Sequence, residues 1–147
     1  ENFPVGTRYN HGIAELLKAL FMDERKLFQF AYQEGDNLFT HAGVSNLWWS
    51  KYFKGKTGEE APGIAEQLNN PTSDQLKAMF LVGHPRGGNS ECGGIFWADL
   101  TETCLDPLLG VHQVVGHTQV ERMHNVGSSE RTSITYCDCL HNDAYYA

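Results

Sequence analysis

The stretch "LFTHAGVS", Leu38 to Ser45, places a histidine where a short apolar strand ends and a turn of small residues begins. Upstream of it, "KLFQFAYQ" (Lys26 to Gln33) alternates in side-chain character and is followed by the turn cluster "EGDN". Two extended runs around a Gly-Asp-Asn turn predict a β-hairpin. We therefore expect His41 at the carboxyl end of the second strand, where Gly43 permits a sharp backbone turn.

A second histidine, His117, lies in the same kind of setting, in "VVGHTQV". The run Gln113 to Val115 predicts a strand that breaks at Gly116. The ends of neighbouring strands are places where neutral imidazoles converge on a metal ion or line a ligand crevice. The alternative is that each histidine is a core or turn residue with ordinary hydrogen bonds. The sequence alone leaves both interpretations open.

The rest of the chain predicts helices first and strands late. The predicted helices are "HGIAELLKALF" (His11 to Phe21), which has one apolar face, then "NLWWSKYFKG", "APGIAEQLNNP" with Pro62 in its first turn, and "TSDQLKAMFLVG", opened by Thr72 or Ser73. We expect "GGIFWADL" to be a short extended segment, "VERMHN" a strand, "GSSERTS" a turn and "SITYCDCL" the closing strand. These patterns predict a mixed α/β fold.

Composition and charge limit the classes of function. At 147 residues the chain has the size of one domain, and its 41% apolar content is enough for a core. The net charge of −7 argues against nucleic acid as a partner, and no apolar run approaches the ~20 residues needed to cross a membrane. The four cysteines form no Cys-x-x-Cys pattern, so a reducing cytoplasm is the expected compartment.

In this order and at this separation, "LFTHAGVS" and "VVGHTQV" resemble the last two metal-binding motifs of the calcineurin-like metallophosphoesterases. That family includes the serine/threonine phosphoprotein phosphatases and their bacterial relatives. The segments "GGIFWADL" and "ITYCDCL" fall where bacterial members have a Trp-containing segment and a late extended strand. The resemblance implies an α/β fold that is part of a β-sandwich flanked by helices, with the N-terminal layer missing.

The resemblance also implies a site for two divalent ions (Mn, Fe or Zn) that hydrolyses phosphate esters by a two-metal mechanism. Carried over to this sequence, His41 and His117 would bind the same one of the two ions. Asp138 and Thr118 would be candidates for the supporting hydrogen bonds to the rings. Arg86, in the glycine-rich "HPRGG", is the candidate phosphate-binding residue, and the alternative is a surface arginine in a loop.

Three departures from the family pattern stand out. Gln119 occupies the position of a second histidine found in one version of the last motif. Asp99 follows the Trp-Ala pair where bacterial relatives often have a phosphate-binding arginine, and we expect Asp99 and His84 to be structural. The family's N-terminal motifs (Asp-x-His, Gly-Asp-x-x-Asp-Arg-Gly and Gly-Asn-His-Glu) do not occur in the sequence, which begins at Glu1.

These departures shape the functional hypotheses. Residues 1–147 are interpreted as the C-terminal portion of a single phosphoesterase domain, whose full-length parent would hydrolyse phosphate monoesters of a phosphoprotein or a small molecule. The alternative is a catalytically inactive truncated homologue that acts as a binding or structural module. Without its N-terminal layer the chain would expose apolar surface, so we expect self-association or association with the missing half. The catalytic residues are unknown from this sequence, and neither nucleic acid nor membrane is an expected partner.

Two further patterns receive structural interpretations. An aromatic cluster follows the first histidine motif and fits core packing better than a substrate platform: Trp48, Trp49, Tyr52 and Phe53. Cys137 and Cys139, with His141, fit a β-strand better than a zinc site, because at least two residues usually separate paired zinc-binding thiols.

Overall fold

The computed structural model describes residues 11–53 and 63–140. The helices in these ranges are α1 (His11–Asp23), α2 (Asn46–Tyr52), α3 (Ile64–Asn69), α4 (Ser73–Met79) and α5 (Leu100–Leu105). The strands are β1 (Ala31–Glu34), β2 (Asn37–Thr40), β3 (His112–Val115), β4 (His124–Ser129) and β5 (Thr132–Tyr136), and two short 3-10 helices cover Arg25–Leu27 and His84–Arg86. The predicted mixed α/β class is confirmed.

The five strands form one mixed sheet in the order β1-β2-β3-β5-β4. The three inner strands β2, β3 and β5 run parallel, and each outer strand is antiparallel to its neighbour. In the register, Thr40 pairs with Val115, and Val115 pairs with Tyr136. The carboxyl ends of β2, β3 and β5 therefore lie side by side, and the loops that follow them emerge at one edge of the sheet.

A hydrophobic core joins the sheet to the helices that follow it. Its fully buried members come from β2, α2, α3, α4 and the segment before α5, and include Leu38, Trp48, Trp49, Leu68, Met79 and Ile95. A second, smaller cluster of Val115, Ile134 and Tyr136 lies next to α5. The aromatic cluster is thus core packing as predicted, although Tyr52 is only partly buried.

Side-chain caps start three of the helices. Ser45 Oγ accepts a hydrogen bond from Trp48 N at the start of α2. Thr72 and Gln75 form a reciprocal capping box at α4, which confirms the predicted helix start. Asp99 and Glu102 form a second capping box at α5.

The loop after β2 requires a glycine. Gly43 has φ +103°, in the left-handed region, and a Cβ there would lie 3.2 Å from side-chain atoms of Ile134 and Thr103. Any larger residue would be strained by its backbone and would push into the layer between the sheet and α5. The sequence prediction of a tight turn at this position is confirmed.

Several predicted boundaries are wrong. The first half of the predicted strand Lys26 to Gln33 is not extended: the chain makes a 3-10 turn there, and β1 begins at Ala31. Leu27 and Phe28 are 75% and 52% exposed, so their alternation does not reflect a buried face. At the other end of the chain, β4 begins only at His124 and continues to Ser129, into the segment that predicted a turn.

The "GGIFWADL" segment is a series of turns leading into α5, and not the short extended segment that the sequence predicts. The glycine pair explains the difference. A Cβ at Gly94 would collide with the Met79 carbonyl, and one at Gly93 would lie 2.7 Å from Ala98 Cα. The chain folds tightly against the end of α4 because these two side chains are absent.

Helix α1 is present as predicted, but none of its residues is buried. Its large apolar side chains are 47–73% exposed: Ile13, Leu16, Leu17, Leu20, Phe21 and Met22. In the described ranges, no helix combines the length and the apolar character that crossing a bilayer requires. Pro62, predicted in the first turn of the third helix, lies outside the described residues.

Candidate functional site

The two histidines singled out by the sequence meet at the carboxyl edge of the sheet. His41 directly follows β2, and His117 lies two residues after β3. His41 Nε2 is 3.0 Å from His117 Nδ1, and the ring centroids are 4.7 Å apart. The parallel pairing of β2 with β3 brings together two residues that are 76 positions apart. Their assignment as metal ligands stays a prediction.

The backbone around His117 turns its ring toward His41. His117 has φ 66°, and it is the one non-glycine residue with positive φ among the described residues. This conformation is uncommon for a side chain with a Cβ and marks a position held by its surroundings. Gly116 N donates to His41 O at 3.0 Å, which ties the loop after β3 directly to the end of β2.

The environment of His117 favours the neutral ring. Burial lowers its pKa, the positive charge of Arg86 and interaction with His41 lower it further, and the carboxylates of Asp138 and Asp99 only partly oppose these effects. A neutral imidazole keeps a nitrogen lone pair that can accept a hydrogen bond or bind a metal ion. His117 Nε2 is buried and has no hydrogen-bond partner.

The pair fits part of a metal site. Two imidazole nitrogens that share one ion at ~2.1 Å, with angles of about 90–110°, are separated by about 3.0–3.4 Å, which matches the observed 3.0 Å. Yet within residues 11–53 and 63–140 no group of three or more His, Cys, Asp or Glu side chains converges on one point. His41 and His117 thus fit as two ligands of a metal ion, and further ligands would be needed to complete its coordination.

Arg86 lies beside this pair. It ends the 3-10 helix His84–Arg86, in a loop whose backbone hydrogen bonds include Gly88 N to Gly83 O, His84 N to Ser90 O and Ser90 N to Val82 O. Its side chain is 24% exposed, and Nη2 donates to Thr118 Oγ1 at 2.5 Å. The loop is compact and the guanidinium half-buried, unlike a surface arginine on a loose loop.

Asp99 is the ionic partner of Arg86. Its Oδ2 lies 3.3 Å from Arg86 Nε, and its side chain is 19% exposed. Its other oxygen, Oδ1, accepts from Thr101 N at 3.0 Å and Thr101 Oγ1 at 2.8 Å. Burial would raise the pKa of Asp99, but the hydrogen bonds from Thr101 and the charges of Arg86 and His117 outweigh it and lower the pKa.

The residues expected to support the rings do not bond to them. Thr118 Oγ1 instead accepts a hydrogen bond from Arg86 Nη2. Asp138 contributes its main-chain oxygen to Val120 N at 2.9 Å, and its Cβ lies 3.9 Å from the position that a Cβ on Gly116 would take. Asp138 acts on His117 through its charge, which raises the pKa of the ring. We name His41, Arg86, His117 and Thr118 together the strand-end site.

The other candidates take structural places. His84 is exposed at the start of its 3-10 helix. Cys137 and Cys139 follow β5, and all four cysteines are free thiols. Burial raises the pKa of the Cys137 thiol, which disfavours the thiolate that zinc binds. His141 lies outside the described residues.

One residue that shapes the site was not identified from the sequence. Gln113 is fully buried in the middle of β3. Its Oε1 accepts from Val44 N at 2.8 Å and its Nε2 donates to Val44 O at 3.0 Å, so it fixes the loop that begins at His41. The available signal was a polar residue inside an apolar strand, since a buried amide needs partners for both ends.

Comparisons of the chain with protein-family models, curated proteins and solved structures found no match. The motif residues and the geometry of the strand-end site are therefore the features of this chain that bear on its function.

Proposed function

We propose that this chain carries one half of a two-metal phosphoesterase site of the calcineurin-like kind, and that its full-length parent hydrolyses phosphate monoesters. The observation that carries the proposal is the His41–His117 pair, with facing nitrogens 3.0 Å apart at the ends of two adjacent parallel strands. Two imidazole rings at this spacing form an arrangement common to divalent-metal sites. The motif resemblance, independent of the geometry, points to the same two residues.

In this proposal the histidine ring nitrogens bind metal and the positively charged arginine binds phosphate. His41 and His117 would bind a divalent ion through their ring nitrogens, and Arg86 would donate its free N–H groups to phosphate oxygens. When bound, the two ions (Mn, Fe or Zn) neutralise charge on the phosphate and lower the pKa of the attacking water. Because the chain has a net charge of −7, Arg86, together with bound ions, would supply the local positive charge that attracts a phosphorylated protein or a small phosphoester.

The metal half of the proposal is tested on the chain itself. Titration with Co²⁺, followed by its visible absorption, and competition with Mn²⁺ and Zn²⁺ give affinities for wild type, His41→Ala and His117→Ala. We expect each variant to lose more than about tenfold in affinity. His124→Ala, which removes an exposed histidine at the start of β4, is the matched control and keeps full affinity. Equal affinity in all four proteins would overturn the assignment.

The catalytic half is tested on a longer chain that includes the missing N-terminal motifs. We expect it to hydrolyse an aryl phosphate with Mn²⁺ and to stop when a chelator is added. His117→Ala is expected to lower turnover far more than it lowers the melting temperature. A fully active His117→Ala enzyme would exclude His117 as a metal ligand.

A second function, that of a binding or structural module without chemistry, is favoured by one observation. Helix α1 presents large apolar side chains at 47–73% exposure, a surface that normally marks an interaction site. The two functions separate in the same experiments. A module would associate through α1 and yet show no metal affinity that depends on His41 and His117.

A further inference from the structure

The carboxylate of Asp99 serves two structures at once. Oδ1 caps α5 through Thr101, while Oδ2 faces the Arg86 guanidinium at 3.3 Å. The two oxygens thus link a helix start, whose position is fixed by the core, to a side chain that reaches the strand-end site. This division of labour distinguishes Asp99 from a carboxylate that only caps its helix.

The guanidinium is held at two points. Thr118 Oγ1 accepts from Nη2, and this is the one hydrogen bond that the guanidinium makes with the described residues. The Nε–H is buried and is not directed at an acceptor, so Asp99 acts on it as an ion pair rather than through an aligned hydrogen bond. Because Thr118 directly follows His117, these two contacts place the positive charge next to the histidine pair.

The free donors of Arg86 are those that a phosphate could use. Nη1 and the second N–H of Nη2 have no acceptor among the described residues. An arginine with one edge anchored and the other open can donate two parallel hydrogen bonds to a phosphate without first losing side-chain freedom.

We propose that Asp99 is the positioning residue that holds the Arg86 guanidinium beside His117, ready to receive a phosphate group; this rests on the proposed function, which supplies the phosphate. Asp99 touches neither the phosphate nor the metal and acts through Arg86. A carboxylate this close to a bound anion repels it, so a bystander Asp99 would weaken phosphate binding, whereas a positioning Asp99 strengthens it. The two roles therefore predict effects of opposite sign.

The test variant is Asp99→Asn. Asparagine remains a good helix cap, so α5 keeps its start while the charge facing Arg86 is removed. Two matched controls isolate this change. Thr101→Val removes a hydrogen bond to Oδ1 and leaves Oδ2 alone, and Asp74→Asn removes a carboxylate at the start of α4 whose side chain is 93% exposed.

The first measurement does not involve phosphate. The Arg86 Nε–H signal in ¹⁵N NMR, assigned by its loss in Arg86→Lys, reports how firmly the guanidinium is held. We expect Asp99→Asn to speed exchange of this proton with water by about tenfold, since a charge-assisted contact contributes on that order. Both controls are expected to exchange as wild type does. Unchanged exchange in Asp99→Asn would overturn the proposal.

The second measurement is the affinity of the Mn²⁺-loaded chain for inorganic phosphate, by calorimetry. We expect Asp99→Asn to bind about tenfold more weakly than wild type. In an Arg86→Ala background the same substitution is expected to cause no further loss. Tighter or equal binding in the single variant, or an equal loss without Arg86, would overturn the positioning role.

The two measurements separate this inference from the proposed function. If wild type binds no phosphate, the proposed phosphate site fails, and the exchange of the Arg86 proton alone decides whether Asp99 positions the guanidinium. If phosphate binds but the exchange is unchanged, the positioning role fails and the proposed function stands.

Discussion

The helices before and after the β1–β2 hairpin are both rich in large apolar side chains, but only one of them is packed. In α2, Trp48 and Trp49 are 0% and 1% exposed, whereas α1 has no buried residue. The start of α2 is anchored by polar contacts: Ser45 caps it, Asp106 accepts from Leu47 N at 2.8 Å, and Gln113 holds Val44. The difference teaches that apolar periodicity identifies the apolar face of a helix, while polar contacts at the start of the helix determine whether that face packs against the core.

The largest predicted effect tests that contrast directly. Trp48→Ala is expected to cost about 3–5 kcal/mol of unfolding free energy, because it empties a packed site and removes the hydrogen bond from Nε1 to Ala78 O. Leu16→Ala, in α1 at 73% exposure, is expected to change the unfolding free energy by less than about 0.5 kcal/mol. Urea denaturation measures both. Similar losses in the two variants would show that α1 is packed in solution.

The second prediction concerns the anchor itself. Gln113→Met keeps the side-chain volume but leaves the buried Val44 N–H without a partner, while Val44 O keeps only its hydrogen bond from Leu108 N, at a cost of about 2 kcal/mol. Gln67→Met, on the exposed side of α3, is the control and should be close to neutral. Because Val44 lies in the loop that begins at His41, the Gln113 variant should also bind Co²⁺ more weakly than wild type. A stable variant with normal metal affinity would show that the loop does not need the hydrogen bonds between Gln113 and Val44.

The same contrast explains what the sequence could and could not predict. The strand-end positions of His41 and His117 followed from local signals, an apolar run that stops at glycine. Their closeness did not, because it depends on β2 and β3 pairing in parallel across 76 positions. Periodicity also overstated the strand before Ala31, because its apolar residues are largely exposed.

Hydrogen bonds and ion pairs between residues far apart in the sequence could not be predicted from local sequence patterns. Gln113 and Val44 are 69 positions apart, and no spacing rule connects them. Asp99 was interpreted as structural, which its capping role bears out, but its contact with Arg86 depends on how the glycine-rich loop folds. Such pairs become visible only when the turns between them are placed.

The third prediction asks what covers α1. If the chain self-associates through this helix, Leu16→Glu with Leu20→Glu should weaken the association by more than about tenfold, because two charges would enter the apolar interface. Sedimentation velocity at tens of micromolar measures the change. Leu105→Glu, at an 85% exposed position of α5, is the control and should associate as wild type does. A monomeric wild type at these concentrations would contradict self-association.

The smallest predicted effect concerns the charge of Asp99, the residue that caps α5, and it is measured as the pH dependence of stability. The pKa of Asp99 is lowered below the usual 3.8, so its carboxylate stabilises the fold at pH above that value. This contribution is lost as the pH falls through the lowered pKa of the folded state, because the proton then binds and the ion pair with Arg86 ends. Asp99→Asn lacks this ionisation, so its unfolding free energy should lie below that of wild type at neutral pH, and the gap should narrow below pH 3.8. Urea denaturation at a series of pH values measures the gap, with Asp74→Asn as the exposed control. A gap that stays constant down to the most acidic folded sample would mean that the anchor at α5 depends on the shape of the capping side chain and not on its charge.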